Sequence, residues 1–175
     1  GKKEVMDKVF PLIKKYGGVV VALTLDENGI PDTVQGRLAI AEKIFACAKT
    51  YGISKKNIIV DPLAMAISAD TQAAAITLDT LDAIHKQKGR TILGVSNISF
   101  GLPQRDFVTA GFFTMAMERG LSAAIMNPNS TEMMKAYFCF CTLRGYDPNC
   151  SRYIEFVEEY TKQQALQESQ QLHSH

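Results

Sequence analysis

Four short apolar runs, each followed by a segment of helical periodicity, set the strongest limit on what this chain can fold into. The runs lie at residues 19–25, at 57–61, in the stretch that begins at Thr91, and at 122–126. They are continuous rather than alternating, which is typical of strands buried in a parallel sheet that helices cover. Because crossovers between parallel strands are right-handed, the pattern predicts either a barrel segment or a small doubly wound sheet.

The first apolar run carries no sign of a nucleotide-binding loop. Neither Gly-x-Gly-x-x-Gly nor a Walker-type sequence follows it, which disfavours the nucleotide-binding doubly wound folds. A helix is predicted before this run, at residues 4–16, and Pro11 predicts that it is kinked or begins late. Residues 149–172 form a more polar segment with an apolar stripe, and the Gln-rich end at 162–175 predicts a frayed helix or a disordered tail.

The charge balance and hydropathy of the chain exclude two classes of partner. The formal net charge is +1, so nothing indicates binding to nucleic acid or to an anionic membrane surface. No apolar run approaches the length that spans a bilayer, since Asp61 and Pro62 interrupt the longest candidate. The sequence begins Gly-Lys-Lys-Glu, without an apolar signal region, so we expect a cytoplasmic protein.

The cysteines do not predict a metal site. Cys139 and Cys141 flank one residue of a helical pattern, Cys47 and Cys150 stand alone, and no Cys-x-x-Cys occurs. The three histidines lie in a helix or in the C-terminal tail. Buried free thiols are therefore the better interpretation of the four cysteines.

The stretch at 91–105 combines a buried strand with a polar turn. Ser96 and Asn97 end the apolar run, Gly101 and Pro103 exclude a regular element, and a helical pattern resumes after Gln104. Proteins with alternating strands and helices bind ligands at such strand ends. The alternative is a plain strand-to-helix turn, in which the Asn and Ser side chains only cap backbone groups.

Residues 94–103, Gly-Val-Ser-Asn-Ile-Ser-Phe-Gly-Leu-Pro, resemble a motif of the pterin-binding barrel in methyltetrahydrofolate methyltransferases. That family includes the folate domain of cobalamin-dependent methionine synthase and the methyltransferase that serves corrinoid iron–sulfur proteins. The resemblance runs from about residue 17 to about residue 160. It implies a TIM-barrel-like α/β fold, of which residues 1–148 are the C-terminal half and residues 149–175 a C-terminal helix and flexible tail.

Half of a barrel leaves surface to be covered. A complete (β/α)8 barrel needs about 250 residues, and only four strand–helix units are counted here. Either the chain is a fragment, or two half-barrels associate. An open parallel sheet exposes two edges and one apolar face. The sequence therefore predicts a homo-oligomer, or pairing with the N-terminal half of the barrel.

The resemblance assigns two residues to the centre of the pterin site. Asp61 matches the acidic residue that hydrogen-bonds the pyrimidine edge of the pterin, where two donors lie side by side. The alternative for Asp61 is a turn-capping role before Pro62. Asn97 matches the Asn beside the methyl-bearing nitrogen, and the resemblance implies that it is catalytic, because a hydrogen bond there stabilises the departing group.

Four further positions match the family's site. Gly94 and Ser96 match flanking positions where the ligand approaches the backbone closely. Arg105 matches a basic residue near the pterin and the glutamyl tail, with a solvated first-turn arginine as the alternative. Ile125 matches an apolar residue that packs on the pterin face, with ordinary strand core as the alternative. After it the chain reads Asn127-Pro, where the family often has Asp-Pro.

The resemblance implies a folate enzyme that acts with a corrinoid. The chain would bind methyltetrahydrofolate and transfer its methyl group to cob(I)alamin, which a partner protein or domain carries. A dihydropteroate synthase-like enzyme is one alternative, but that enzyme has Ser-Arg-Lys where this chain has Ser96-Asn97-Ile98. A non-catalytic half-barrel that docks a corrinoid protein or a second half-barrel is the other. The cysteine-rich zinc site that homocysteine activation needs is absent from these residues, which leaves the final methyl acceptor open.

Overall fold

Four parallel strands form a sheet in the order in which they occur in the sequence. The computed structural model describes residues 1–172 and places β1 at Val20–Leu23, β2 at Ile58–Asp61, β3 at Arg90–Gly94 and β4 at Ala123–Ile125. Neighbours pair as β1-β2-β3-β4, and every pairing is parallel. The predicted four-stranded parallel fold is confirmed. Because the order never reverses, right-handed crossovers place the helices on one face, as in a barrel rather than a doubly wound sheet.

Six α-helices occur in the described residues. They are α1 (Lys3–Tyr16), α2 (Val34–Thr50), α3 (Ala73–Lys86), α4 (Arg105–Glu118), α5 (Thr131–Leu143) and α6 (Ser151–Leu172). The first helix begins well before Pro11 and continues through it, so the predicted late start is wrong. None of the described helices is both long enough and apolar enough to cross a membrane.

The two faces of the sheet have opposite environments. On the helix-covered face, Ile58, Val60 and Leu93 are completely buried. On the other face, Val21 is 49% exposed and Leu23 is 39% exposed. This second face would line the interior if the sheet closed into a barrel. The structure therefore has the form of a partial TIM-barrel-like fold, with the uncovered apolar face that the sequence predicts.

The hydrophobic core lies between the sheet and the helices that cover it. Phe10 of α1, Ile44 of α2, Ile58 of β2 and Ile84 of α3 are all buried in one cluster. Burying one such side chain contributes about 1.5–3 kcal/mol relative to leaving it exposed. This packing makes the sheet a stable support for the residues at the strand ends.

The chain divides into two compact units, and residues after 127 belong to the second. Within it, Phe138 of α5 stacks on Phe156 of α6 with ring centroids 4.7 Å apart. Asp147 is buried and accepts hydrogen bonds from the backbone N–H groups of Arg152 and Tyr153, which caps the start of α6.

The Gln-rich end of the chain was predicted to be either a frayed helix or a disordered tail. Helix α6 continues to residue 172, so residues 162–172 are helical. The predicted tail at 173–175 lies outside the described residues, and the division at residue 148 stays a prediction.

The four cysteines are free thiols, but none of them is fully buried as predicted. Cys47 and Cys141 are half-buried, whereas Cys139 and Cys150 are exposed. Cys150 ends a short 3-10 turn at Pro148–Cys150, where the chain runs along the surface. Within residues 1–172, no cluster of three His, Cys, Asp or Glu side chains could hold a metal ion.

We expect the uncovered face to drive association of the chain when no N-terminal half-barrel is supplied. Sedimentation velocity at micromolar concentration should show a species larger than a monomer. Leu23→Glu should shift it to the monomer, because a charge at this face opposes burial of the apolar surface. Leu143→Glu, at an exposed leucine outside the sheet, is the matched control. A stable, well-folded parent monomer would contradict this expectation.

Candidate functional site

The carboxyl ends of the parallel strands bring the predicted site residues to one edge of the sheet. Asp61 ends β2, and Gly94 ends β3 and pairs with Ile125 at the end of β4. Ser96 and Asn97 follow β3 in a short 3-10 helix, Val95–Ser99. Arg105 lies on the following segment, as the first residue of α4. Their individual roles remain predictions, but their convergence on one edge follows from the topology.

Asp61 is a half-buried carboxylate without a cationic partner. Its Oδ1 accepts a hydrogen bond from Leu63 N at 2.8 Å, and none of the ion pairs in the described residues includes it. Burial raises the pKa of the Asp61 carboxyl above its ordinary value, and the hydrogen bond from Leu63 offsets part of that rise. One carboxylate oxygen of Asp61, Oδ1, therefore does cap the turn, as the alternative interpretation proposed. The carboxylate can still accept hydrogen bonds from a ligand.

Asn97 is exposed and its amide has a defined orientation. Its Nδ2 donates to the carbonyl of Ala64 at 2.5 Å, which leaves Oδ1 as the acceptor end of the side chain. Two further hydrogen bonds join the loop after β2 to the loop after β3. Ile67 N donates to Ile98 O at 3.0 Å, and Ser68 Oγ donates to Phe100 O at 2.7 Å. The loops after β2 and β3 are thus connected directly beside the candidate site.

Arg105 is exposed but not simply solvated. Its Nη2 donates to Ser96 O at 2.6 Å and its Nε to Ser99 Oγ at 3.2 Å, while the guanidinium lies over the Phe100 ring. The arginine therefore stabilises the loop that carries Asn97. Whether it also contacts a ligand stays a prediction from the resemblance.

Gly94 and Ile125 border open space. A Cβ placed on Gly94 would meet no heavy atom within 4 Å, so a ligand could approach its backbone closely. Ile125 is 62% exposed, on the face of the sheet that the helices leave uncovered. An exposed isoleucine beside an open glycine provides an apolar wall for a flat ring.

Arg37 lies next to the candidate site but is not among the residues predicted from the sequence. It lies in α2, is only 3% exposed, and donates to the carbonyls of Pro62 and Leu63, directly after Asp61. A charged residue in a helical pattern is normally assigned to the solvent face. Its position in the first turn of α2 could have indicated that it lies near the loops at the carboxyl edge of the sheet.

Comparison with known protein families identifies the family of this chain. The sequence model of the family described as "Pterin binding enzyme" matches residues 2–127. The chain belongs to the pterin-binding enzyme family. The match includes the whole sheet and all six predicted site residues, so the resemblance found in residues 94–103 is confirmed.

Individual pterin-binding relatives cover different parts of the chain. A methylcorrinoid:tetrahydrofolate methyltransferase of Eubacterium limosum is 30% identical over 177 residues, 86% of this chain and 65% of the relative. Methionine synthases of Mycobacterium leprae and Mycobacterium tuberculosis are 34% and 33% identical over 129 residues, 69% of this chain and 11% of each relative. The chain thus spans less than two thirds of the first relative and about a ninth of each of the other two.

We expect Asp61→Asn to stabilise this pterin-binding unit at pH 7. Burial disfavours the charged carboxylate, so its folded pKa lies above the unfolded value of about 3.9. The parent is therefore penalised above its folded pKa and regains stability as the pH falls towards about 4. Urea unfolding should show the Asp61→Asn variant to be more stable than the parent at pH 7, and the difference should shrink at pH 4.5.

Asp70→Asn is the matched control for this measurement. Asp70 accepts the backbone N–H two residues on, at Gln72, in the same kind of turn, but it is exposed. An equal advantage of Asp61→Asn at both pH values would show that burial of the charge is not the cause.

Proposed function

We propose that this chain binds methyltetrahydrofolate and takes part in methyl transfer between folate and a corrinoid. Membership of the pterin-binding family supports the ligand class, and one relative is named as a methyltransferase between a methylcorrinoid and tetrahydrofolate. The observation that carries the proposal is the half-buried Asp61 carboxylate, which forms no ion pair within the described residues and ends β2 at the same edge of the sheet as the open Gly94.

Asp61 is proposed to recognise the pyrimidine edge of the pterin. A ring N–H and an exocyclic amine lie side by side on that edge and offer two donors to a carboxylate. The hydrogen bond from Leu63 N fixes the rotation of the carboxylate before the ligand arrives. Partial burial strengthens the interaction, because fewer water molecules compete for the oxygens.

Asn97 is proposed to act at the nitrogen that carries the methyl group. When the methyl group leaves, the electrons of the N–C bond stay on that nitrogen, which gains a proton. Since Nδ2 is bound to Ala64 O, the amide presents Oδ1, which can accept a hydrogen bond from the protonated nitrogen. The Eubacterium limosum relative is named for transfer from a methylcorrinoid to tetrahydrofolate. The same contact serves both directions, since they share one transition state.

The methyl acceptor is proposed to be cob(I)alamin carried by a corrinoid-binding partner protein or domain. The bound corrinoid supplies the nucleophile that takes the methyl group. This chain contributes an open strand edge, where Phe100 in the loop after β3 and Ile125 at the end of β4 are both exposed. The other half of the pterin site is proposed to come from a second half-barrel, either another copy or an N-terminal half.

The contacts around Asn97 favour methyl transfer over dihydropteroate synthase chemistry. Binding a pyrophosphate substrate needs cationic side chains, and residues 96–98 contain none. Arg105, at the start of the next helix, already donates to Ser96 and Ser99. A non-catalytic docking half-barrel would differ from both enzymes by not binding methyltetrahydrofolate.

Asp61→Ala should weaken methyltetrahydrofolate binding, because the two donors of the pterin lose their charged acceptor. We expect a loss of about 2–3 kcal/mol, roughly 30- to 150-fold in affinity. Isothermal titration calorimetry measures this in a protein that contains both halves of the barrel, with Asp70→Ala as the control for removing a carboxylate from a similar turn. Equal affinity for parent and Asp61→Ala would remove Asp61 from the pterin site.

Asn97→Ala should lower the methyl-transfer rate more than the folate affinity, because its contact strengthens as the nitrogen gains its proton. The rate is measured in single turnover with cob(I)alamin, in a protein that contains both halves of the barrel. Ser68→Ala is the control, since it removes a bond between the same two loops but not the Asn97 amide. An unchanged rate in Asn97→Ala would show that this residue only shapes the turn.

A further inference from the structure

Arg37 is a buried cation whose hydrogen bonds all go to uncharged groups. Its Nε donates to Pro31 O at 2.9 Å, and its Nη1 to Pro62 O at 2.8 Å and Leu63 O at 2.9 Å. No ion pair in the described part of the chain includes it. Asp32 attracts the guanidinium electrostatically, but burial outweighs this attraction and lowers the pKa of Arg37. A buried charge with so little compensation is costly and would be replaced favourably by an apolar side chain, unless its donors are needed.

The backbone that Arg37 holds is in an unfavourable conformation. Leu63 has a φ of 64°, in the left-handed region that residues with a Cβ rarely adopt. In that conformation its N–H points back to Asp61 Oδ1, at 2.8 Å. The bonds from Arg37 to the two carbonyls after Asp61 offset this strain. The guanidinium thus acts on the carboxylate through the backbone that follows it.

Thr77 of α3 contacts both the Leu63 carbonyl and the Arg37 guanidinium. Its Oγ1 lies 3.2 Å from Leu63 O and 3.3 Å from Arg37 Nη1. The next carbonyl, of Ala64, receives the amide of Asn97. Three consecutive carbonyls after β2 are therefore held by side chains from α2, α3 and the loop after β3.

We propose that Arg37, assisted by Thr77, is a positioning residue that sets the orientation of both Asp61 and Asn97 at the carboxyl edge. The inference rests on the proposed pterin site for its function, but its geometry is independent of the ligand. Arg37 reaches the loops after both β1 and β2, with Pro31 on one side and Pro62 on the other. The planar guanidinium can donate to several carbonyls at once, and the single ammonium of a lysine cannot reproduce that geometry.

Thr77 and Thr80 provide a matched pair for testing the proposal. Both are completely buried in α3, and both donate to a carbonyl one turn earlier. Only Thr77 also contacts Leu63 and Arg37. Thr77→Val and Thr80→Val therefore remove the same hydroxyl group from similar surroundings, but only Thr77→Val also removes contacts to Leu63 and Arg37. Arg37→Lys keeps the positive charge and removes the planar guanidinium that donates to several carbonyls.

The first measurement is hydrogen exchange at the Leu63 amide, followed by NMR and corrected for the global stability of each variant. Thr77→Val and Arg37→Lys should exchange this amide at least tenfold faster than the parent, whereas Thr80→Val should match the parent. Tetrahydrofolate is the binding probe in the second measurement, which uses a protein that contains both halves of the barrel. Its affinity should fall about tenfold in Thr77→Val and stay unchanged in Thr80→Val.

Equal protection of the Leu63 amide in Thr77→Val, Thr80→Val and the parent would overturn the positioning role. A different result would refute the proposed function, independently of the positioning role of Arg37. That result is an unchanged affinity of Asp61→Ala for tetrahydrofolate. Loss of Leu63 protection together with unchanged folate affinity in Asp61→Ala would leave Arg37 a determinant of the Asp61 turn and refute the pterin assignment. Should Arg37→Lys not fold, the Thr77 and Thr80 pair decides the result alone.

Discussion

The backbone hydrogen bonds between neighbouring parallel strands align the carboxyl ends of β1 to β4 at one edge of the sheet. The pairing of Gly94 with Ile125 and of Leu23 with Asp61 fixes the relative heights of these residues. Thr24 N extends the first pair of strands by donating to Asp61 O. Because a shift of one residue in a strand would turn its side chains to the opposite face, this register determines which residues can share a site.

Several energetically unfavourable features occur together at the carboxyl edge of the sheet. Burial raises the pKa of the Asp61 carboxyl, Leu63 has a left-handed backbone, and Arg37 is a buried cation that forms no ion pair within the described residues. Each feature opposes folding on its own, but together they orient a carboxylate and an amide before any ligand binds. Such a concentration of strain and buried charge is typical of functional sites.

The sequence predicted those features that depend on local pattern. Continuous apolar runs located the strands, and the polar break after Gly94 located the candidate site. Contacts between distant residues were not predictable in the same way. Arg37 was missed because helical periodicity assigns a charged residue to solvent, while its partners at Pro62 and Leu63 follow it by 25 residues or more. Cys139 and Cys150 were predicted as buried because free thiols usually are, yet both lie on exposed positions of the second unit.

We propose that the carboxyl edge of this half-barrel binds the pterin of methyltetrahydrofolate. The proposal can be tested by an NMR titration of the backbone amides with methyltetrahydrofolate, in a protein that contains both halves of the barrel. We expect shifts at Leu63, Gly94 and Asn97, with the amides of α5 and α6 unchanged. The absence of any shift at these three amides, or shifts confined to α5 and α6, would contradict it.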